Sequence, residues 1–419
     1  MALFEGKEWL FVIGILALVF LAQVGLEYRK WRALPFETPG EITAQILNQY
    51  QKTKDNKTYW VMKLKSEGHT FYTTSREDIK PLQGRYVRVY GKTNCSFVEY
   101  FRSCFFINFT FSLLPHQEST KPIKDYIASQ HENQENASLF NTLFFADTLS
   151  KKWRGVSNLL GLAHILAISG FHLGILSAFL FAILVLPYRF LQRRFFTYRN
   201  EVYDIGAIIL VVLFGYLVVL DFVPSFLRAY AMAVFGFLLY FSGLQILNFK
   251  LLALVGLSCI ALFPSVAFNI GFILSMAGVF YIFLFVRYFP KCHALWYFTS
   301  FNIAVFFSIT PIVHYFFPYF SPYQLVSILV SIAFVVYFPL MIVLHIFGLG
   351  GVLDKWLDMV LALEIPSIDY YLPWYLALIY AGLGMAAMFS RAAYVVMLIC
   401  ALAFYAYLCA LFWGLVGIA

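Results

Sequence analysis

His164-Ile-Leu-Ala-Ile-Ser-Gly-Phe-His172 stands at the mouth of a long hydrophobic region, and its reading decides the fold. Two imidazoles, a hydroxyl and a glycine are crowded into it, and each polar group in hydrocarbon costs free energy unless it finds a partner. A segment that merely anchors the chain gains nothing from them, so the function is sought here. The apolar run continues to about Leu186, where Pro187 is expected to end the helix, and Arg189, Arg193, Arg194 and Arg199 follow. Such a cluster belongs in the cytoplasm by the positive-inside rule, which sets His164 toward the outer face.

Working outward, 61% of the 419 residues are hydrophobic, 20% aromatic and only 12% charged. That composition predicts a polytopic α-helical membrane protein. Of the 30 Lys and Arg, those beyond residue 160 are Arg189, Arg193, Arg194, Arg199, Arg228, Lys250, Arg287, Lys291, Lys355 and Arg391, so the remaining basic residues fall in a soluble-like first part. After the first bundle segment, apolar runs extend over about 203–221, 228–245, 251–268, 270–287, 295–317, 323–347, 374–390 and 394–417, for a bundle of about nine or ten helices. Arg287 and Lys291 make the next basic turn and agree with the first.

The residues from Trp9 to Leu26 are apolar except for Gln23 and long enough to cross a bilayer, which predicts a retained N-terminal transmembrane anchor over residues 1–35. A cleaved signal peptide is the competing reading; acidic Glu5 and Glu8 and the poor exit Val24-Gly25-Leu26 speak against it. Tyr28-Arg-Lys-Trp-Arg32 favours the opposite orientation, and the placement adopted follows the Arg189 cluster and the cysteine pair below.

Residues 36–116 change character, with apolar and polar residues alternating between glycine-containing turns such as Ser66-Glu67-Gly68-His69. Trp60, Met62 and Leu64 share one face of a strand; Tyr86 to Tyr90 and Phe105 to Ser112 give two more. The length suits a small antiparallel barrel of about five strands, inserted in the chain and extracytoplasmic, and the OB-fold is the common module of this kind that grips nucleic acid. Lys63, Lys65, Arg85, Arg88, Tyr59 and Tyr72 are the candidate nucleic-acid-binding residues, because cations interleaved with aromatics suit single strands. The plainer reading, aromatics in the core and lysines that only solubilise, weighs equally. Cys95 and Cys104 bracket a short loop, and a disulfide there implies an oxidising compartment; no second Cys or His pair completes a metal site. Cys259, Cys292, Cys400 and Cys409 read as packing residues.

Residues 117–160 carry Leu139, Leu143, Phe144 and Leu149 at helical spacing between Asn136 and Trp153, which predicts an interfacial amphipathic helix leading into a bundle over 161–419. Within the bundle, Arg228 suits either a salt bridge to Asp221 or an anion contact in a cavity. Asn269, Gly271 and Ser275 flank a helix junction, where small residues also serve close packing. His314 and His345 are expected to hydrogen-bond backbone or headgroups.

The run Gly161-Leu-Ala-His-Ile-Leu-Ala-Ile-Ser-Gly-Phe-His-Leu-Gly174 resembles the signature of the ComEC competence family, the inner-membrane channel for DNA uptake in natural transformation. Pro224-Ser-Phe-Leu-Arg-Ala229, Phe263-Pro264 leading into Asn269-Ile-Gly-Phe-Ile-Leu-Ser275, and Thr310-Pro311 through Ser327 to Phe338-Pro339-Leu340 resemble it in order. Asn269 and Ile273 depart from the acidic residue and glutamine expected there. The resemblance implies translocation of single-stranded DNA from periplasm to cytoplasm, with a periplasmic DNA receptor, a cytoplasmic helicase or translocase and single-strand-binding proteins as partners, in a monomer or homodimer embedded in lipid. It is to a short form: no two histidines are separated by one residue, so the metal-binding signature of the metallo-β-lactamase-like domain of longer members is absent. His164, Ser169, Gly170, His172, Arg228, Asn269 and Ser275 are the candidates for the path.

A polyanion crosses hydrocarbon only along a hydrated path, and one with few fixed charges lets the strand leave its sites. An interior-negative potential opposes entry by about 2.3 kcal/mol per charge per 100 mV. No phosphate-binding loop of the G-x-x-x-x-G-K-[ST] type occurs, so the pull is expected from the cytoplasmic partner, with no cofactor in this chain. Two rivals are an intramembrane serine hydrolase, with Ser169 as nucleophile and His164 or His172 as base, and a small-solute transporter. For the first, eight positions on a regular helix set the two histidines about 80° apart, so only a broken helix converges them. No H-E-x-x-H motif or inverted repeat is visible.

Overall fold

The computed structural model describes residues 7–54, 57–66, 68–75, 82–117, 120–241, 249–290 and 293–416. Glu5, Glu67, Lys291 and Cys292 lie outside them, as do the last residues of the expected 228–245 segment. The chain divides into two compact units, one from Phe4–Ala128 with Leu257–Asn269, the other from Ser129–Gly256 with Ile270–Ala419.

The first unit opens with α1 (Lys7–Arg32), long and apolar enough to cross a membrane. The chain then alternates inward and outward residues through β1 (Gly40–Lys54), β2 (Lys57–Ser66), β3 (His69–Ser75), β4 (Arg85–Asn94) and β5 (Cys104–Gln117). Met62 and Leu64 point inward as expected, joined by Val87, Val89 and Phe106 in a closed core, while Trp60 is only half-buried. The fifteen residues of β1 are enough to pair with both β2 and β4, and a register shift between Ile46 and Asn48 bends the strand between them. The sheet therefore closes in the order β1-β2-β3-β5-β4, with β3 and β5 parallel, and leaves no open edge. This is the small OB-like barrel that the alternation predicted.

Cys95 and Cys104 are disulfide-bonded across the connection between β4 and β5, their Cα atoms 5.4 Å apart. The enclosed loop folds as a single turn, α2 (Phe97–Tyr100), capped at both ends of a box: the Ser96 N–H donates to Glu99 at 2.7 Å and the Glu99 N–H donates to the Ser96 hydroxyl at 3.4 Å. The Ser96 N–H holds the Glu99 carboxyl below the usual carboxylate range, helped by the Ser96 hydroxyl. Because the folded pKa is depressed, this support is present above the unfolded value and is lost as pH falls through the folded one. Trp31 of α1 donates to the Cys95 carbonyl at 3.3 Å and packs on Phe36 and Phe97, so the loop is also the seat of α1. Removing the crosslink with Cys95→Ser and Cys104→Ser is expected to destabilise this unit by about 2–3 kcal/mol, the loop-closure entropy of a ring this short, read as a lower unfolding midpoint. After the barrel the unit continues with α3 (Lys121–Ala128).

The second unit is helical: α4 (Gln134–Phe145), α5 (Lys151–Leu159), α6 (Ala163–Leu166), α7 (Gly170–Phe195), α8 (Glu201–Val219), α9 (Pro224–Phe241), α10 (Phe249–Leu262, whose last residues belong to the first unit), α11 (Ile270–Tyr288), α12 (Ala294–Phe316), α13 (Val326–Ile346), α14 (Asp354–Leu361), α15 (Trp374–Ala387) and α16 (Arg391–Val416). Among the described residues of both units, seven helical stretches are long and apolar enough to cross a membrane, and three shorter apolar helices accompany them. The chain is a multi-pass membrane protein. α7, α8 and α9 share a core in which Ile205, Ile209, Leu213 and Leu217, one per turn of α8, meet Leu173, Phe226 and Ala229. α11, α15 and α16 share another around Tyr281, Tyr380 and Met397.

Three expectations need correction. The helix expected between Asn136 and Trp153 is two helices, α4 and α5, because Ala146 takes a left-handed conformation (φ 59°) that ends α4. Its Asn136, Leu139, Phe140, Thr142, Leu143 and Phe144 are all buried, so α4 packs inside the unit. α7 does not carry His164 but begins at Gly170. Pro187 does not end it either; the helix runs through to Phe195. A proline costs one intrahelical hydrogen bond, which the membrane-spanning helix absorbs. At its far end Arg189 pairs with Glu201 at 2.6 Å and Arg199 with Asp204 at 2.7 Å, pinning the basic turn between α7 and α8.

Candidate functional site

The polar run is a broken helix. α6 ends at Leu166, Ala167 is extended, and Ser169 restarts the chain as α7 by a cap: its hydroxyl accepts from the Phe171 N–H at 3.3 Å, and His172 Nδ1 accepts from the Ser169 N–H at 3.3 Å. The break frees the Ile168 carbonyl, and the Ser225 hydroxyl from the start of α9 donates to it at 2.5 Å. Gly170, the first residue of α7, serves by its small size: a Cβ at that position would lie 3.2 Å from the Ala229 Cβ and 3.6 Å from Arg228 Nη2. Glycine thus lets α7 and α9 touch and brings the Arg228 guanidinium, 2% exposed, against the first turn of α7.

His172 is fully buried, its ring edge-on to Phe334 and Phe338 of α13 at 5.2 and 4.8 Å, and its Nε2 has no hydrogen-bond partner among the described residues. His164 is exposed, and its Nε2 lies 3.4 Å from the Ser331 hydroxyl of α13. Phe334 and Phe338 flank the midpoint of α13, so the break sits beside the middle of a helix that can cross the bilayer. Ala163, His164, Ala167, Phe171 and Gly174 make its exposed side. Non-helical backbone and an accessible imidazole at that depth are stable only against protein or water, not lipid.

His164, Ser169, Gly170, His172 and Arg228 therefore come together, with Ser225 and Ser331 added. Ser225 lies in the Pro224-Ser-Phe-Leu-Arg-Ala229 run singled out in the sequence, whereas Ser331 carries no signal there beyond being polar in an apolar run. Asn269 belongs to the other unit, where it ends the 3₁₀ turn Pro264–Phe268, and Ser275 is half-buried in the second turn of α11. Ser169 Oγ and His172 Nδ1 are 3.5 Å apart, but both are engaged in the helix cap, the hydroxyl accepting from the Phe171 N–H and the imidazole from the Ser169 N–H. That arrangement does not favour a nucleophile. Ser169→Ala is expected to weaken the cap by about 1 kcal/mol, measured as a lower unfolding midpoint.

On the barrel, Lys63 stands directly opposite Tyr72 across the β2–β3 pair, and Lys65 and Tyr59 follow the same outward parity along β2. Burial, then the neighbouring Tyr50, raises the Tyr72 pKa, so its hydroxyl stays protonated. Arg85 and Arg88 lie on β4, which pairs with β1 and β5, and thus on a different flank; Arg88 Nε is 3.7 Å from Glu41. Exposed Phe105, Ile107 and Phe109 line β5 beside Tyr90, a stripe the sequence reading counted only as strand.

Residues 143–419 match the family model described as Competence protein. No curated protein and no solved structure matches the chain. The matched stretch covers well over half of the sequence and contains the break, the cap and Arg228; the chain belongs to the competence protein family, whose role is in DNA uptake.

Proposed function

We propose that this protein is the inner-membrane channel through which single-stranded DNA passes from periplasm to cytoplasm during natural transformation, with the barrel on the periplasmic side. The observation that carries the reading is the broken segment Ala163–Ser169 beside the middle of α13, with accessible His164 on one side and buried Arg228 on the other. The first turn of α7 presents the positive end of a helix dipole at the same place, and a helix start beside a guanidinium is a natural contact for a phosphate. One such contact along a mostly apolar path holds a strand in register without trapping it.

The outer face of β2 and β3, with Lys63, Lys65 and Tyr72, suits the incoming strand, since cations supply charge and a ring supplies a stacking surface. The motor is a cytoplasmic partner. The test is cytoplasmic entry of fluorescent DNA in cells lacking the protein, complemented with wild type or with Ser169→Ala. Label that stalls outside the deletion strain's cytoplasm and enters with both complementing forms supports the channel. Normal entry in the deletion strain overturns it.

A further inference from the structure

Outside the broken helix, the helical unit contains a second chain of buried polar groups. Its members are far apart in sequence. His131, whose side chain is fully buried ahead of α4, has its Nδ1 2.8 Å from Asp354 Oδ1 at the start of α14. Its Nε2 is 3.1 Å from His345 Nε2, and His345 Nδ1 is 2.7 Å from the Met341 carbonyl within α13. Gln130 doubles the connection: its side chain donates to the His345 carbonyl at 3.0 Å and accepts from the Gly350 N–H at 2.8 Å. Phe140 of α4 lies flat on the His131 ring, centroids 4.8 Å apart.

The protons can be counted. The Met341 carbonyl only accepts, so His345 Nδ1 carries a proton and its Nε2 is a lone pair in the neutral ring. His131 Nε2 must then donate to it. A carboxylate also only accepts, so the bond to Asp354 requires another proton, on His131 Nδ1 or on the carboxyl. Three hydrogen bonds thus need three protons where two neutral imidazoles supply two. If the third is absent, two acceptors face each other at 2.8 or 3.1 Å, and one of the contacts must open.

The surrounding charge does not supply an alternative donor. Asp358 of α14 accepts from Asn133 and Asn136 at 2.7 and 3.0 Å, Glu135 Oε2 of α4 is buried with no hydrogen-bond partner among the described residues, Glu132 and Lys355 are exposed, and Tyr337 of α13 lies within the field of Asp354. We propose that Asp354, His131 and His345 form a proton-binding site, held as an imidazolium of His131 against the Asp354 carboxylate, and that its occupancy fastens the segment ahead of α4 to α13 and α14.

The reporter is the Gly350 amide, whose exchange with deuterium requires release of Gln130. In the full-length protein in lipid nanodiscs, protection of Gly350, corrected for the intrinsic rate, is expected to fall with rising pH by up to about tenfold per pH unit, the limit for one proton. Asp354→Asn keeps the shape while its carboxamide donates to a neutral His131, so its protection should be flat over the same range. His131→Phe keeps the stack on Phe140 and loses both bonds, and should leave Gly350 unprotected throughout. Wild-type protection that does not change with pH, or Asp354→Asn with the wild-type slope, overturns the site. Nitrogen NMR of histidine-labelled wild-type protein gives an answer independent of any variant's folding: one ring with both nitrogens protonated supports the site, and single protonation of every ring contradicts it.

Discussion

Arg228→Met is expected to lower DNA entry into the cytoplasm by about tenfold to a hundredfold, with wild-type amounts of folded protein in the membrane. The range is that of one hydrogen bond to a charged group, about 1.5–3 kcal/mol, lost on the proposed path. Methionine matches the stem and removes the guanidinium, so the core that Phe226 and Ala229 form around α9 keeps its packing. Arg228→Lys retains the charge without the fork and should fall between. The comparison is made as transformation frequency against protein detected in membrane fractions. Normal frequency with Arg228→Met removes this residue from the path.

Gly170→Val should have the second large effect. A Cβ there already meets the Ala229 Cβ at 3.2 Å, and the branches of valine have only Ala229 and the Arg228 guanidinium to displace. Overpacking of this kind costs about 1–3 kcal/mol, and here it drives α7 from α9 at the point where the chain is broken. Uptake should drop below a tenth of wild type, in keeping with a site whose geometry fails by an ångström. Ala229→Gly on the same chain removes the atom in the way and should restore part of both stability and uptake. If the double variant is no better than Gly170→Val, the glycine is needed for something other than this contact.

Much of the fold was legible in the sequence because membrane helices and half-buried strands write their periodicity plainly. The apolar run over 203–221 is α8 at Glu201–Val219, and the alternation through Met62 and Leu64 gave the barrel. The interruptions were harder to read. Ser169 and His172 cap α7 with a histidine where glutamate is the familiar partner, so the helix start looked like helix interior. Pro187 looked like a stop because the rule for helix ends comes from water, where a chain that leaves a helix finds other partners. α4 looked amphipathic, yet its polar Asn136 and Thr142 are buried: Asn136 donates to Asp358 and the Thr142 hydroxyl to the Ser138 carbonyl, so polarity did not mean exposure.

The candidate site was legible in part for the same reason. His164, Ser169, Gly170 and His172 are neighbours in sequence, and Arg228 drew attention as a charge in an apolar run. Their meeting depends on a glycine-sized gap between α7 and α9 that no single sequence displays. Asp354, His131 and His345 were beyond reach, since contacts across more than two hundred residues leave no local pattern.

The most direct test is whether the strand touches the break. A photo-crosslinking amino acid at Ala167, on the exposed side of the broken segment, is compared with one at Val211, 72% exposed on α8, in competent cells taking up labelled DNA. The expected result is a DNA adduct at position 167 and none at 211. Uptake that proceeds with no adduct at 167, or with equal adducts at both, would contradict a path along this segment.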